Sequence, residues 1–187
     1  MSVIATIENG ISLATKDYIR IVNFGNKKFD VKPKEDQIKC CLYKAFCDAG
    51  YLVHVEASYA RNGGRCDLIA YNHASDSVAL EIKTAWGGTG WNNKVSEQVS
   101  SWKSDLKKLQ TLMAAEPVTH RYLLVCFCYQ KGTQPEEALK AELDKLEAKA
   151  YEPFVFSEWN GLTEIQFYLI DSLVTTTEEL CQKKAGG

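Results

Sequence analysis

The stretch from Tyr51 to Thr84 alternates polar and apolar residues with a period of two and is cut twice by short polar turns, which limits the fold more sharply than any other feature. Leu52 to Tyr59 reads as a strand, Arg61-Asn62-Gly63-Gly64 as a turn and Arg65 to Tyr71 as a second strand; His73-Ala74-Ser75-Asp76 is a second turn and Ser77 to Thr84 a third strand. Connections this short and rich in Gly, Asn, Asp and Ser join neighbouring antiparallel strands, so the segment predicts a three-stranded meander.

On either side the period is helical. A helix is expected from Ile11 to Val22, and a second from Pro33, suited to a first turn, to Asp48, with Gly50 as its stop. Ile38, Leu42, Ala45 and Phe46 share one face of the second helix, with Glu35 at the N-terminal end of that stripe. After the meander comes a glycine-rich loop, Gly87 to Asn93, and then a helix whose stripe Val95, Val99, Trp102, Leu106, Leu109 and Met113 alternates by four and three. A buried strand is expected at Arg121 to Tyr129, a solvent-facing helix at Pro135 to Ala150, and strands at Phe154 to Phe156 and Glu164 to Ile170. The expected class is α/β, with the order α-β-β-β-α-β-α and a mixed sheet flanked by helices.

The 187 residues suit one domain, 1–187, with a core at about 33–130. The net charge of -2 excludes a polycation, but it is unevenly spread: residues 1–135 carry +4 and the acidic segment 136–187 carries -6. A nucleic-acid partner must then be held by a local patch or a metal, and the acidic segment is a candidate surface for a protein partner. No basic start leads into an apolar stretch and no window approaches ~18 apolar residues, so the expectation is a soluble, cytoplasmic protein with no membrane association. The seven cysteines form no C-x-x-C pair and lie mostly in apolar segments, which reads as reduced core thiols.

Chemistry is concentrated on the second and third strands. Asp67 is a carboxylate at the start of an apolar strand, and Val78-Ala79-Leu80-Glu81-Ile82-Lys83 sends Glu81 and Lys83 to one face and Val78, Leu80 and Ile82 to the other. If the strands pair through the turn at His73 to Asp76, Asp67 and Glu81 approach each other. Two carboxylates ~4 Å apart repel by roughly 4 kcal/mol at an effective dielectric near 20. A divalent cation removes the conflict, and oxygen ligands without a His or Cys pair favour Mg2+ or Mn2+ over zinc. Such a metal beside an ammonium group suits phosphodiester hydrolysis. Glu-x-Lys alone is uninformative: Glu147-Ala148-Lys149 repeats it, in what reads as a surface helix.

From Pro33 to Met113 the sequence resembles the restriction-endonuclease-like, PD-(D/E)XK nuclease superfamily, through Glu35, Asp67 and Glu81-Ile82-Lys83. The resemblance implies an α-β-β-β-α-β core, Mg2+ held by Asp67, Glu81 and the Ile82 carbonyl, and Lys83 as the water-activating or charge-stabilising residue. Glu35 would match the acid of the first core helix, although a shift of one position would exchange it for Asp36. Cys66 stands where the motif's name has proline. The implied activity is metal-dependent hydrolysis of DNA, for which a homodimer would serve two-strand cutting; the alternative is an inactive nuclease-like module that binds nucleic acid or protein.

Around this centre, Lys94, Gln98 and Lys103 are candidate substrate contacts. Gln98 to Trp102 resembles the Gln-x-x-x-Tyr element of the exonuclease branch, or is a surface glutamine beside a core tryptophan. Lys103, Lys107 and Lys108 form a basic face that meets phosphates or solvent. Glu56 is either a further acid of the site or a strand residue paired with Arg65. The bland alternative for the whole motif is a Glu81–Lys83 salt bridge with Asp67 closing the Gly63-Gly64 turn.

Overall fold

The computed structural model describes residues 1–24, 34–58, 64–72, 76–87, 95–111, 118–158 and 161–173. Its elements are α1 (Val3–Phe24), α2 (Glu35–Asp48), β1 (Leu52–Ser58), β2 (Arg65–Tyr71), β3 (Ser77–Gly87), α3 (Val95–Thr111), β4 (His120–Gln130), α4 (Gln134–Lys145), β5 (Lys149–Ala150), β6 (Phe154–Glu158) and β7 (Gly161–Asp171). The seven strands form one mixed sheet in the order β1-β2-β3-β4-β7-β5, with β6 also paired to β7. β1, β2 and β3 are successive antiparallel neighbours, as the short turns require, whereas β3 and β4 are parallel, with α3 lying between them in the chain.

The helices cover both faces. Ile7, Ile11 and Tyr18 of α1 and Ile38, Leu42 and Phe46 of α2 pack with Leu68, Leu80, Ile82 and Leu124 on one side of the sheet. Trp102, Leu106 and Leu109 of α3 and Leu139 and Leu143 of α4 pack with Ile69, Ala79, Leu123, Val125 and Phe127 on the other. β4 is therefore covered on both faces and reads as an unbroken apolar run rather than an alternating one. Among the described residues no helix is long and apolar enough to cross a membrane.

Two helix boundaries depart from expectation. α1 begins at Val3, two turns before Ile11, because Val3, Ile7, Ile11, Ala14 and Tyr18 continue one buried stripe. The β-branched residues and Asn9-Gly10 argue against helix by propensity, but burial overrides that weak preference, and Ser2 Oγ caps the start by accepting the Ala5 N–H at 3.2 Å. α4 stops at Lys145 rather than Ala150. Glu147 turns the chain at φ 52, and Lys149-Ala150 becomes β5 against Leu169 and Tyr168, so Glu147-Ala148-Lys149 is not a helical charge face. The expected stop at Gly50 is present, with φ 85 and its N–H donating to the Cys47 carbonyl. Cys41, Cys66, Cys126 and Cys128 are buried free thiols; Cys40 and Cys47, on the outer side of α2, are exposed, contrary to a core reading for them. Pro33, Lys94 and Met113 lie outside the described residues, as does all of the Gly87 to Asn93 loop after Gly87.

The acidic segment is partly neutralised from within. Glu136 and Glu164 are buried around Lys140, at 2.8 and 2.7 Å, and Lys131 adds a further ion pair to Glu164 at 3.5 Å. α1 and α2 meet where Gly10 leaves room for Leu42: a Cβ there would lie 2.7 Å from Leu42 Cδ2 and 3.1 Å from its Cα. Gly10→Val is expected to force the helices apart and lower stability by about 1–3 kcal/mol, read as a fall in the urea midpoint at unchanged slope.

Candidate active site

The hairpin register decides where the acids meet. β2 and β3 pair from Tyr71↔Ser77 to Leu68↔Leu80, so the next step along each strand brings Asp67 opposite Glu81. There the two strands part: β2 continues beside β1 to Ser58↔Arg65, while β3 continues beside β4 to Gly87↔Tyr129. At the fork Asp67 replaces the missing ladder partner, its Oδ2 accepting the Ile82 N–H at 2.8 Å. The buried Cys66 thiol donates to the Leu80 carbonyl at 3.2 Å and the Leu68 carbonyl at 3.4 Å. A small sulfhydryl therefore suits the position at which the motif's name has proline.

Three of the expected residues converge here, and a fourth joins them from α2. Asp67 and Glu81 stand opposite each other at the fork, close enough for the Asp67 charge to act on the Glu81 carboxyl. Glu35 reaches β3, its Oε1 accepting the Thr84 N–H at 3.2 Å, whereas Asp36 points to solvent. Of the two neighbours, Glu35 is the one that contacts β3. Lys83 lies beside the acids, but its ion pair is with Asp105 of α3, at 3.3 Å, rather than with Glu81. The bland Glu81–Lys83 strand-end bridge is thus replaced by a link between sheet and helix.

Sequence reading missed three members of this group. Asp105 is buried on α3, gripped by Lys83 on one oxygen and Lys108 on the other. Its only sequence signal is an acid three residues after Trp102 and four before Leu109, inside the apolar stripe. Lys108, read as part of a solvent- or phosphate-facing row, belongs to the site. Lys39, one turn after Glu35, meets Asp67 Oδ1 at 3.1 Å and also pairs with Glu56. Glu56 thus pairs with Lys39 of α2, and its backbone is held at φ 50, a conformation non-glycine residues seldom adopt.

The substrate-contact expectations fare less well. Gln98 is half-buried and accepts a hydrogen bond from the Tyr129 hydroxyl at 3.0 Å, so it is directed toward β4. Lys103 is exposed on α3. Lys94 lies outside the described residues.

Comparison with protein-family models, curated proteins and solved structures returned no match.

The electrostatics follow from burial. Glu81 is almost wholly enclosed, and its Oε1 has no hydrogen-bond partner. Burial, followed by the negative charges of Asp67 and Asp105, pushes its carboxyl up to about 8, so in this state it holds its proton at neutral pH. Lys83 goes the other way: burial works against its charge, but Asp105 and Glu35 outweigh it and hold the ammonium charged above its ordinary range. Lys39 is likewise held charged, with Glu56 and Asp67 overcoming the cost of burial.

The donor chemistry fits a hard divalent cation. Asp67 and Glu81 supply adjacent carboxylate oxygens, and the orphaned Glu81 Oε1 lacks the partner that a cation would provide. Among the described residues no three His, Cys, Asp or Glu side chains are grouped to hold a metal. Further ligands would therefore be backbone oxygen, for which Ile82 is the candidate, and water, the coordination habit of Mg2+.

A folded-state pKa near 8 against an ordinary 4.5 means that the native protein binds the extra proton. The stabilisation is complete below the unfolded value and is lost as pH rises toward 8. Denaturant midpoints are expected to fall between pH 5 and 8 without added metal, by an amount on the order of a few kcal/mol at most. In Glu81→Gln that fall is expected to flatten; an unchanged pH profile in the variant shows that Glu81 is not the titrating group.

Proposed function

We propose that the protein is a metal-dependent nuclease of the restriction-endonuclease-like type, hydrolysing DNA phosphodiester bonds at the fork between β2 and β3. The reading is carried by the juxtaposition of Asp67 and Glu81 at the fork, with a buried Glu81 oxygen left without a partner and the Lys83 ammonium nearby. Support also comes from charge. Glu35, Glu56, Asp67, Glu81 and Asp105 outnumber Lys39, Lys83 and Lys108, an excess of acid that a divalent cation would offset once Glu81 is ionised.

In this reading Asp67 and Glu81 hold the cation with the Ile82 carbonyl. Mg2+ or Mn2+ would supply Lewis acidity and lower the pKa of an attacking water. Glu81 must release its proton to become a ligand, so cation affinity rises with pH. Lys83, held charged by Asp105 and Glu35, cannot accept a proton from water; its role is to stabilise negative charge developing on the phosphate. Asp105 is a positioning residue, fixing Lys83 and Lys108 from the opposite layer. Glu35 ties the start of α2 to β3 just beyond Lys83.

The competing reading is a nuclease-like binding module without turnover. It is favoured by the three lysines that already compensate much of the acidic charge without a metal. A protein partner at 136–187 and a homodimer belong with either reading.

The two readings separate on supercoiled and linear DNA incubated with Mg2+, Mn2+ or EDTA. Metal-dependent cutting is expected from the wild type, with a loss of about 10²-fold or more in Asp67→Ala and in Lys83→Ala. Cutting that persists in both variants removes the site assignment. Absence of cutting together with absence of divalent-cation binding by calorimetry favours the binding module.

A further inference from the structure

Three acids stand side by side at the fork. The β1–β2 ladder steps from Val55↔Leu68 to Ala57↔Cys66, which puts Glu56 opposite Asp67, and the β2–β3 register puts Glu81 on the other side of Asp67. Carboxylates this close repel unless a cation lies between them. Lys39 of α2 fills the first gap, its ammonium 3.1 Å from Asp67 Oδ1 and paired also with Glu56. In the second gap Glu81 Oε1 has no hydrogen-bond partner, and the reading above assigns that gap to a divalent cation. We infer that Lys39 is a built-in counter-ion for Asp67 that passes to Glu56 as Asp67 becomes a metal ligand, so that the Lys39–Glu56 pair sets the concentration of divalent cation at which the site loads. This role for Lys39 rests on the metal-dependent reading and adds how loading is controlled.

Both oxygens of Asp67 are engaged. Oδ2 accepts the Ile82 N–H at 2.8 Å, which anchors the carboxylate to β3. Oδ1 is the oxygen left for a ligand, and Lys39 sits on it. A divalent ion such as Mg2+ bonds a carboxylate oxygen at about 2.1 Å, so on Oδ1 it would share an atom with the ammonium. Two positive charges would then be neighbours beside a Lys39 side chain only 12% exposed, where water and salt screen poorly. One of them must give way.

Lys39 is placed to do so, unlike the other two lysines of the group. Lys83 and Lys108 converge on a single acid, Asp105. Lys39 has the opposite arrangement, one ammonium between two acids, and its three N–H donors can leave Asp67 while Glu56 still holds it. Glu56 is 49% exposed and lies at φ 50 where the ladder is interrupted, so its side chain is not locked into the sheet. Before a cation binds, Lys39 offsets the repulsion between Glu56 and Asp67; afterwards it offsets Glu56. The fork is compensated in both states, and the cost of moving Lys39 is subtracted from the affinity for metal.

Titration calorimetry of the full chain with Mn2+ and with Mg2+, at one fixed pH, tests this. Lys39→Met keeps the length of the side chain and removes its charge; it is expected to bind Mn2+ about tenfold tighter than the wild type. Glu56→Gln leaves the ammonium with Asp67 and is expected to bind about tenfold more weakly. Lys39→Met/Glu56→Gln is expected to bind as Lys39→Met does, because Glu56 acts through Lys39. Asp36→Asn removes an equal charge 3.8 Å from the same ammonium, but from a side chain 96% exposed, and is expected to change affinity by less than about twofold. Melting curves without metal are expected to show Lys39→Met less stable than the wild type, with saturating Mn2+ narrowing or reversing the gap.

Unchanged or weaker Mn2+ binding in Lys39→Met overturns the exchange. So does a Glu56→Gln effect that persists in the double variant or is matched by Asp36→Asn, and the last comparison needs no Lys39 variant to fold. If Lys39→Met binds as the wild type does while the wild type cuts DNA with Mg2+, the exchange falls and the nuclease reading stands. If Lys39 and Glu56 control cation binding as expected but no DNA is cut, the exchange stands and the nuclease reading falls. If no protein of the series takes up either cation, both fall.

Discussion

Everything near the β2–β3 fork depends on one unfavourable fact: a carboxyl group, Glu81, sits inside a sheet covered by helices on both faces. Burying a charge without compensation costs far more than a single favourable contact returns, so such a group either keeps its proton or acquires partners. Here it does the first, with its carboxyl pushed up to about 8. The groups around it are organised accordingly. Asp67 is turned toward a backbone N–H and Lys39, and Asp105 toward Lys83 and Lys108, so that each neighbouring acid has its own cation.

The layers supply those cations from different directions. α2 contributes Glu35 and Lys39, the sheet contributes Asp67, Glu81 and Lys83, and α3 contributes Asp105 and Lys108. The close approach of α1 and α2 at Gly10 and Leu42 fixes the depth of α2, and with it how far Glu35 and Lys39 reach over the strands. The stripe of Trp102, Leu106 and Leu109 fixes the rotation of α3, which turns Asp105 inward. The apolar packing therefore sets the electrostatic geometry.

The division between what the sequence makes legible and what it conceals has the same origin. Asp67, Glu81 and Lys83 can be read because alternation assigns faces and a short hairpin fixes register, both local properties. Glu35 follows from its place at the head of a helical stripe. Asp105, Lys108 and Lys39 could not be found that way, since each joins the cluster only through a contact between layers. Lys108 is one of several lysines on α3, and only the docking of that helix distinguishes it from Lys103 and Lys107. The early start of α1 was hidden for a related reason: β-branched residues and Asn9-Gly10 oppose a helix locally, while a buried face favours it globally. At Gln98 the alternatives were open, and the Tyr129 hydroxyl turned it inward.

The left-handed backbone at Glu56 has a consequence unrelated to catalysis. β1 is the outermost strand on its side of the sheet, with Leu52 and Val55 exposed, and a straight, apolar free edge is a template for other chains to add to. The break in extended geometry at Glu56, with its acidic side chain held by Lys39, interrupts that edge after four residues. The same residue that borders the acidic cluster thereby shortens the surface on which strand-by-strand aggregation could begin.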